Sequence, residues 1–161
     1  MKILKIQALR GPNIWSVQRK KLIQMRLDLE EMEQFPTNKI EGFRERIEAM
    51  FPTMIEHRCS EGCRGGFFSR VERGTWMGHV IEHIALEIQT LAGMETGFGR
   101  TRETKTPGVY NVVFSYTEEN VGLFAAESAV SIAESLIAGT EYDVEADIQK
   151  MREIRERVRL G

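Results

Sequence analysis

The sequence has little of several features that mark specialised classes of protein. It contains 2 cysteines and 4 prolines among 161 residues, too few for a disulfide-rich or proline-rich chain. No apolar run approaches the roughly 20 residues of a membrane-spanning helix. Basic residues interrupt the first segment, MKILKIQALRG, so it does not fit the apolar region of a signal peptide. We therefore expect a cytoplasmic chain with reduced cysteines and no membrane partner.

The sequence also lacks an excess of basic charge. Lysine and arginine total 22 against 24 acidic residues, a formal net charge of −2, whereas a dedicated nucleic-acid-binding domain is normally basic. Hydrophobic residues make up 42% and charged residues 29%, an ordinary balance for a globular protein. We expect one domain with a real core and no nucleic-acid partner.

Strand-like and helix-like segments are intermingled along the chain. Short β-branched segments predict strands at 2–9 and 109–116. Apolar spacing predicts helices at 41–50, 75–91, 118–138 and 143–160. Residues 16–33 fit either one helix or a strand followed by a helix, and 57–75 and 94–108 are interpreted as irregular segments rich in glycine. The pattern predicts an α+β fold in which a few strands pack with three to four helices.

The last helix is set apart by its charge. We expect residues 1–140 to form the main domain and residues 141–161 to form a charged C-terminal helix or linker. In the strongest helix, 75–91, Thr75 is the candidate N-cap and Gly93 the candidate C-terminal residue.

Helix 75–91 contains the motif H-x-x-E-H, formed by His79, Glu82 and His83. Two histidines four residues apart lie about 6 Å apart along a helix axis and on one face, so both imidazoles can bind one metal ion. Glu82 lies on nearly the same face and suits a general base. This is the pattern of an inverse zinc-hydrolase motif. The competing interpretation is a pair of histidines satisfied by hydrogen bonds at the edge of a core.

A catalytic zinc usually has three protein ligands and one open position, and the sequence offers two kinds of third ligand. Glu127 lies among small residues of a predicted helix, which would allow close packing against helix 75–91. Cys59, or Cys63 in the same loop, would supply a thiolate. Since related motifs take a glutamate from a distant helix, Glu127 is favoured and Cys59 is the alternative. Both cysteines with both histidines would instead make a closed structural site.

Arginines on glycine-rich segments form a second candidate site. Arg64 precedes a pair of glycines, and Arg100 and Arg102 follow Gly97 and Gly99. Such side chains can hold carboxylates. Flexible loops with solvated charges explain the same pattern. No P-loop motif for nucleotides is present.

Four blocks of sequence resemble the N-terminal domain of cyanophycin synthetase, and the resemblance covers nearly the whole chain. They are MKILKIQALRGPNIWSVQRKKLIQMRLDL, CSEGCRGGF, GTWMGHVIEHIALEIQTLAGM and GFGRTRETKTPGVYNVVFSY. That family uses ATP to polymerise aspartate and arginine into cyanophycin, multi-L-arginyl-poly-L-aspartate. Its ATP-grasp and Mur-ligase-like domains lie outside this sequence.

The resemblance implies three things about this chain. It would bind cyanophycin, work beside the ligase domains, and assemble as a homo-oligomer in the full-length enzyme. In some members the domain resembles a metallopeptidase that cuts cyanophycin internally to give primers. On that basis we expect a Zn²⁺-dependent hydrolase with His79, His83 and Glu127 (or Cys59) as ligands and Glu82 as the catalytic base, with Arg64, Arg100 and Arg102 binding substrate. A non-catalytic polymer-binding module and a metal-braced structural module are the alternatives.

Overall fold

The computed structural model describes residues 1–18 and 21–161. This part of the chain forms four strands and five α-helices. The strands are β1 (Lys2–Arg10), β2 (Lys21–Asp28), β3 (Gly99–Glu103) and β4 (Val109–Ser115). The α-helices are α1 (Phe43–Met50), α2 (Gly66–Arg73), α3 (Met77–Leu91), α4 (Glu119–Ala138) and α5 (Val144–Leu160). Short 3-10 helices cover Glu30–Gln34, Thr37–Lys39, Pro52–Glu56 and Cys59–Glu61.

The four strands form one antiparallel sheet in the order β1-β2-β4-β3. Side chains alternate between the two faces of a strand. In β2 the buried residues Ile23, Met25 and Leu27 therefore alternate with the more accessible Gln24 and Arg26. On the Gln24 side, amide side chains bridge the strands: Gln7 donates to Gln24, and Gln24 donates to Asn111. The sheet thus has one face in the main core, while the other face combines these amides with the buried Leu22 and Val113.

Two long helices cover the apolar side of the sheet. Helix α3 contacts β3 and β4, while α4 contacts β1 and β2 and packs against α3. Gly122 allows α4 to approach the sheet, because a Cβ there would lie 2.8 Å from Tyr116 Cβ and 2.9 Å from Ile23 Cγ1. Helix α3 is buried along almost its whole length, so its polar side chains must find partners inside the protein.

The C-terminal helix α5 packs on α3 and α4 and buries Ile148 and Met151. Asp143 caps it by accepting a hydrogen bond from the Ala146 backbone. Helix α4, contrary to the expectation that no segment approaches this length, is long and apolar enough to cross a membrane by length and composition. However, 61% of that window is buried inside the protein, and the core helix of a globular fold passes the same test.

The α+β prediction is confirmed, as are strands at β1 and β4 and helices at α1, α3, α4 and α5. Residues 16–33 contain strand β2 followed by a 3-10 turn, with 19–20 outside the described residues. Two elements were missed. Helix α2 lies within the supposedly irregular 57–75, and β3 lies within 94–108. Strand β3 (GRTRE) carries no large apolar side chain, so hydrogen bonding to β4 rather than local pattern makes it a strand.

Candidate metal centre and cleft

Helix α3 presents three polar side chains at intervals of one turn: His79, His83 and Glu87. Residues four apart lie on the same side of a helix, and this side faces the loop 57–65 and helix α2. The sequence predicted Thr75 as the N-cap of this helix, and this prediction is wrong. Trp76 occupies the N-cap position without a side-chain cap, and the Thr75 hydroxyl lies 2.9 Å from His79 Nδ1 instead.

Three potential metal ligands converge at this point: Cys59, His79 and His83. His79 Nε2 lies 3.0 Å from His83 Nε2 and 3.2 Å from Cys59 Sγ. Around a tetrahedral zinc with ordinary Zn–N and Zn–S bonds, the donor atoms would be about 3.3–3.6 Å apart. These two separations are slightly shorter than that, and all three donor atoms lie within 4.8 Å of one another.

The donor chemistry of this group fits a metal ion. Two interactions are open to these three side chains: a hydrogen bond between the two Nε2 atoms, which fits their 3.0 Å separation, or a metal ion bound by all three donors. Only the second uses the cysteine sulfur together with both imidazoles. Burial, followed by the charge of Arg70, lowers the pKa of His79 to about 4. Burial and the neighbouring histidines hold the pKa of His83 well below its usual value. Both rings are therefore neutral near pH 7, the form that binds metals.

The loop that carries Cys59 is held in an unusual conformation. Cys59 has a φ of 54°, a left-handed value that costs a non-glycine residue about 1–3 kcal/mol. The loop also packs closely on helix α2, since a Cβ on Gly66 would lie 2.1 Å from the Arg58 carbonyl oxygen. Residues held in such conformations often belong to functional sites, which supports a role for the thiol.

Glu82 lies beside the histidines but has a different neighbour, strand β3. Its carboxylate accepts a hydrogen bond of 2.6 Å from Thr101 Oγ1. A Cβ on Gly99 would lie 2.3 Å from Glu82 Oε1, so this glycine makes room for the carboxylate. Burial raises the pKa of Glu82 to about 7, although the Thr101 hydrogen bond and the charge of Arg102 oppose the shift. A carboxylate with this pKa can both accept and return a proton near neutral pH.

A cleft of about 990 Å³ opens over these residues. His79, Glu82 and His83 line it together with Trp76, which is 38% exposed. Four arginines also line it: Arg58, Arg70, Arg100 and Arg102. Among residues 1–18 and 21–161, none of these four forms an ion pair with a carboxylate. In contrast, several arginines elsewhere do so: Arg10, Arg44, Arg73 and Arg152. The cleft therefore offers unpaired positive charge next to the candidate metal centre.

Two of the predicted site residues are not brought to this group. Glu127 is exposed on α4 and lies outside the Cys59–His79–His83 cluster. Its small neighbours, Ala125, Ala126 and Ala129, are buried as expected, but the turn of the helix directs Glu127 away from them. The geometry favours Cys59 over Glu127. Arg64 is also exposed and forms an ion pair of 2.8 Å with Glu56. Glu56 lines the cleft, and Arg64 does not.

Sequence reasoning missed several residues around the centre. The ring of Phe67 packs against His83 with 4.4 Å between centroids. His57 lies 2.8 Å from His83, and Glu87 is hydrogen-bonded to His57. Two signals were available: His57 stands two residues before Cys59, and Glu87 continues the four-residue spacing of His79 and His83 along α3.

The fold and the site define a class: an α+β domain with a partly buried Cys–His–His group and an adjacent carboxylate under an arginine-lined cleft. The family model described as "Cyanophycin synthase-like N-terminal domain" matches residues 24–138. The chain belongs to this family.

Curated relatives agree with this assignment. Over 164 aligned residues that cover the whole chain, it is 51% identical to the cyanophycin synthetase of Synechocystis sp.. It is 52% identical to that of Geminocystis herdmanii and 49% identical to that of Crocosphaera subtropica. In each case the chain spans 19% of the relative's length.

Proposed function

We propose that the chain is a zinc-dependent endo-hydrolase that cleaves the backbone of cyanophycin and so supplies primers for polymerisation. The observation that carries the proposal is the convergence of Cys59, His79 and His83 beside the buried carboxylate of Glu82. Its relatives are named as cyanophycin synthetases, which supports cyanophycin as the polymer and ligase domains as the partners. The cytoplasmic location and the homo-oligomeric state stay predictions.

Each residue of the centre has a defined task in this proposal. Cys59, His79 and His83 would hold the zinc and leave a fourth position open, as in catalytic sites. The bound zinc would supply the Lewis acidity that activates water and polarises the scissile carbonyl. Glu82 would accept the proton of the attacking water and then return it to the leaving amine. The hydrogen bond from Thr101 keeps the Glu82 carboxylate in place for both transfers.

The unpaired arginines of the cleft supply the contact with polymer. Each repeating unit of cyanophycin carries a free arginine α-carboxylate, and guanidinium groups bind carboxylates well. Arg100 and Arg102 on β3 are the predicted binding residues that line the cleft, and Arg58 and Arg70 join them.

The test is to incubate the purified chain with cyanophycin, with and without a chelator, and to measure the length of the products. We expect shorter chains that appear only without chelator, and restored cleavage when zinc is added back. Full-length polymer under all conditions would refute the hydrolase.

A second candidate function, a non-catalytic module that anchors the polymer, is favoured by the arginine-lined cleft alone. It predicts that cyanophycin binds with equal affinity before and after removal of metal, and that no products form. A pull-down on insoluble cyanophycin separates the two candidates when it is run beside the cleavage assay.

A further inference from the structure

A continuous line of hydrogen bonds runs from the 3-10 helix Pro52–Glu56 to the candidate metal centre. The Thr53 hydroxyl donates to Glu87 Oε1. The other carboxylate oxygen, Oε2, lies 2.7 Å from His57 Nε2. His57 Nδ1 in turn lies 2.8 Å from His83 Nδ1. Glu87 is 3% exposed, so both of its oxygens have partners inside the protein.

The carboxylate of Glu87 sets the direction of the hydrogen bonds on either side of it. A carboxylate only accepts hydrogen bonds, so His57 Nε2 carries the proton and donates to Glu87. If that is the only proton on the His57 ring, Nδ1 is an acceptor and takes its hydrogen bond from His83 Nδ1–H. A neutral imidazole has one proton, and His83 is therefore left with a free lone pair on Nε2. That atom is the one that faces His79 and Cys59.

From this order we propose that Glu87, acting through His57, is a positioning device that holds the ring and tautomer of His83 ready for metal binding. The proposal rests on the metal centre of the proposed function and deepens it. Phe67 packs against the face of His83 and restrains the ring plane, but a stacked ring can still flip and exchange its two nitrogens. The hydrogen bond from His83 to His57 removes that freedom.

Loss of such a partner typically lowers metal affinity 10–100-fold. We expect His57→Phe, which keeps a ring but no acceptor, to weaken zinc binding by about this factor. Glu87→Met, which removes both acceptor oxygens, should have a similar effect. Glu87→Gln keeps one carbonyl acceptor for His57 and should restore much of the affinity. The matched control is Gln89→Met on the same helix: Gln89 is fully buried and donates to the Ala85 and Ser115 carbonyls, with no link to the histidines.

The measurement is competition for zinc against a chromophoric chelator, with the melting temperature of each metal-free variant as a check on folding. Cobalt substitution adds a second readout. The thiolate–cobalt absorption reports binding by Cys59, and the ligand-field bands shift when the geometry of His83 changes. A merely structural role would lower the melting temperature of Gln89→Met and Glu87→Met alike and leave the cobalt spectrum unchanged.

The outcomes separate this proposal from the one on which it rests. If the wild type binds no zinc, the metal centre and the hydrolase fail together. If the wild type binds zinc and both His57→Phe and Glu87→Met bind it equally tightly, the positioning role is overturned while the centre stands. If His57→Phe does not fold, the zinc affinities of the wild type, Glu87→Gln and Glu87→Met decide the matter. Affinities that fall in that order support the positioning role, and equal affinities refute it.

Discussion

Helix α3 carries two buried carboxylates in unlike surroundings, one on each side of His83 along the chain. Glu82 faces strand β3, where its hydrogen-bond partner is a neutral hydroxyl, and burial raises its pKa to about 7. Glu87 faces the 52–57 segment. Burial also acts to raise the pKa of Glu87, but hydrogen bonds from His57 and Thr53 outweigh it and hold the pKa below its usual value.

The same residue type on one helix thus lies in two different electrostatic environments. A carboxyl group whose pKa is near neutrality suits proton transfer, whereas one that stays ionised suits electrostatic support. The difference comes from the two flanking segments, and it supports the proposed proton transfer by Glu82 and the proposed positioning role of Glu87.

The largest expected effect comes from removing the centre that lies beside both carboxylates. His79→Ala, His83→Ala or Cys59→Ala should reduce zinc from close to one per chain to background and abolish cleavage, because each takes away one of three ligands. Elemental analysis measures the zinc content, and the product-length assay measures cleavage. Glu127→Ala and Cys63→Ser are the controls and should retain metal. Loss of zinc in Glu127→Ala with retention in Cys59→Ala would restore Glu127 as the third ligand.

The second-largest effect is expected from replacing each carboxylate in turn, which tests the comparison of Glu82 and Glu87 directly. Glu82→Gln should slow cleavage by about 10²–10⁴-fold, the usual contribution of a general base, with unchanged zinc content and melting temperature. Glu87→Gln should slow it far less once zinc is saturating. Cleavage rates at saturating zinc decide the point. Equal losses in the two variants would mean that the carboxylates do not have separate tasks.

A smaller effect is expected from substituting Gly99, which leaves room for the Glu82 carboxylate. Gly99→Ala would place a Cβ 2.3 Å from Glu82 Oε1, so the carboxylate must move. A displacement of about 1 Å can cost up to about 10²-fold in rate, and we expect a loss of roughly tenfold or more at unchanged zinc content. Gly97→Ala is the matched control, since no atom lies within 4 Å of a Cβ built there. If both variants were fully active, the position of Glu82 against β3 would not matter.

The smallest effect concerns the arginines of β3, the strand that packs against Glu82. Arg100→Ala or Arg102→Ala should weaken cyanophycin binding by roughly two- to fivefold each, as for exposed charge pairs, and more strongly at low salt. Arg73→Ala, whose partner is Glu61, should bind polymer as the wild type does. Sedimentation with insoluble cyanophycin across a salt series provides the measurement. Binding by Arg100→Ala and Arg102→Ala that equals the wild type at every salt concentration would make these arginines ordinary surface charges.

Local sequence pattern was enough to locate most of the fold. Strand β4 and helices α3 and α4 are long or strongly apolar segments with clear periodicity, and such segments fold as their own pattern dictates. Helix geometry alone also places His79 and His83, which are four residues apart, on the same face. Helix α2 could have been found from Phe67, Phe68 and Val71, which form one apolar face, but the glycines before it suggested a loop.

The remainder was decided by contacts between segments that are distant in sequence. Strand β3 exists because β4 pairs with it, and only that pairing brings Thr101 and Gly99 to Glu82. Cys59 rather than Glu127 joins the histidines, because the loop 57–65 folds against α2 while the turn of α4 exposes Glu127. The opposite pKa shifts of Glu82 and Glu87 likewise have no counterpart in the sequence. Helical periodicity determines which side chains of α3 lie on the same face. Tertiary packing determines which other segments contact that face.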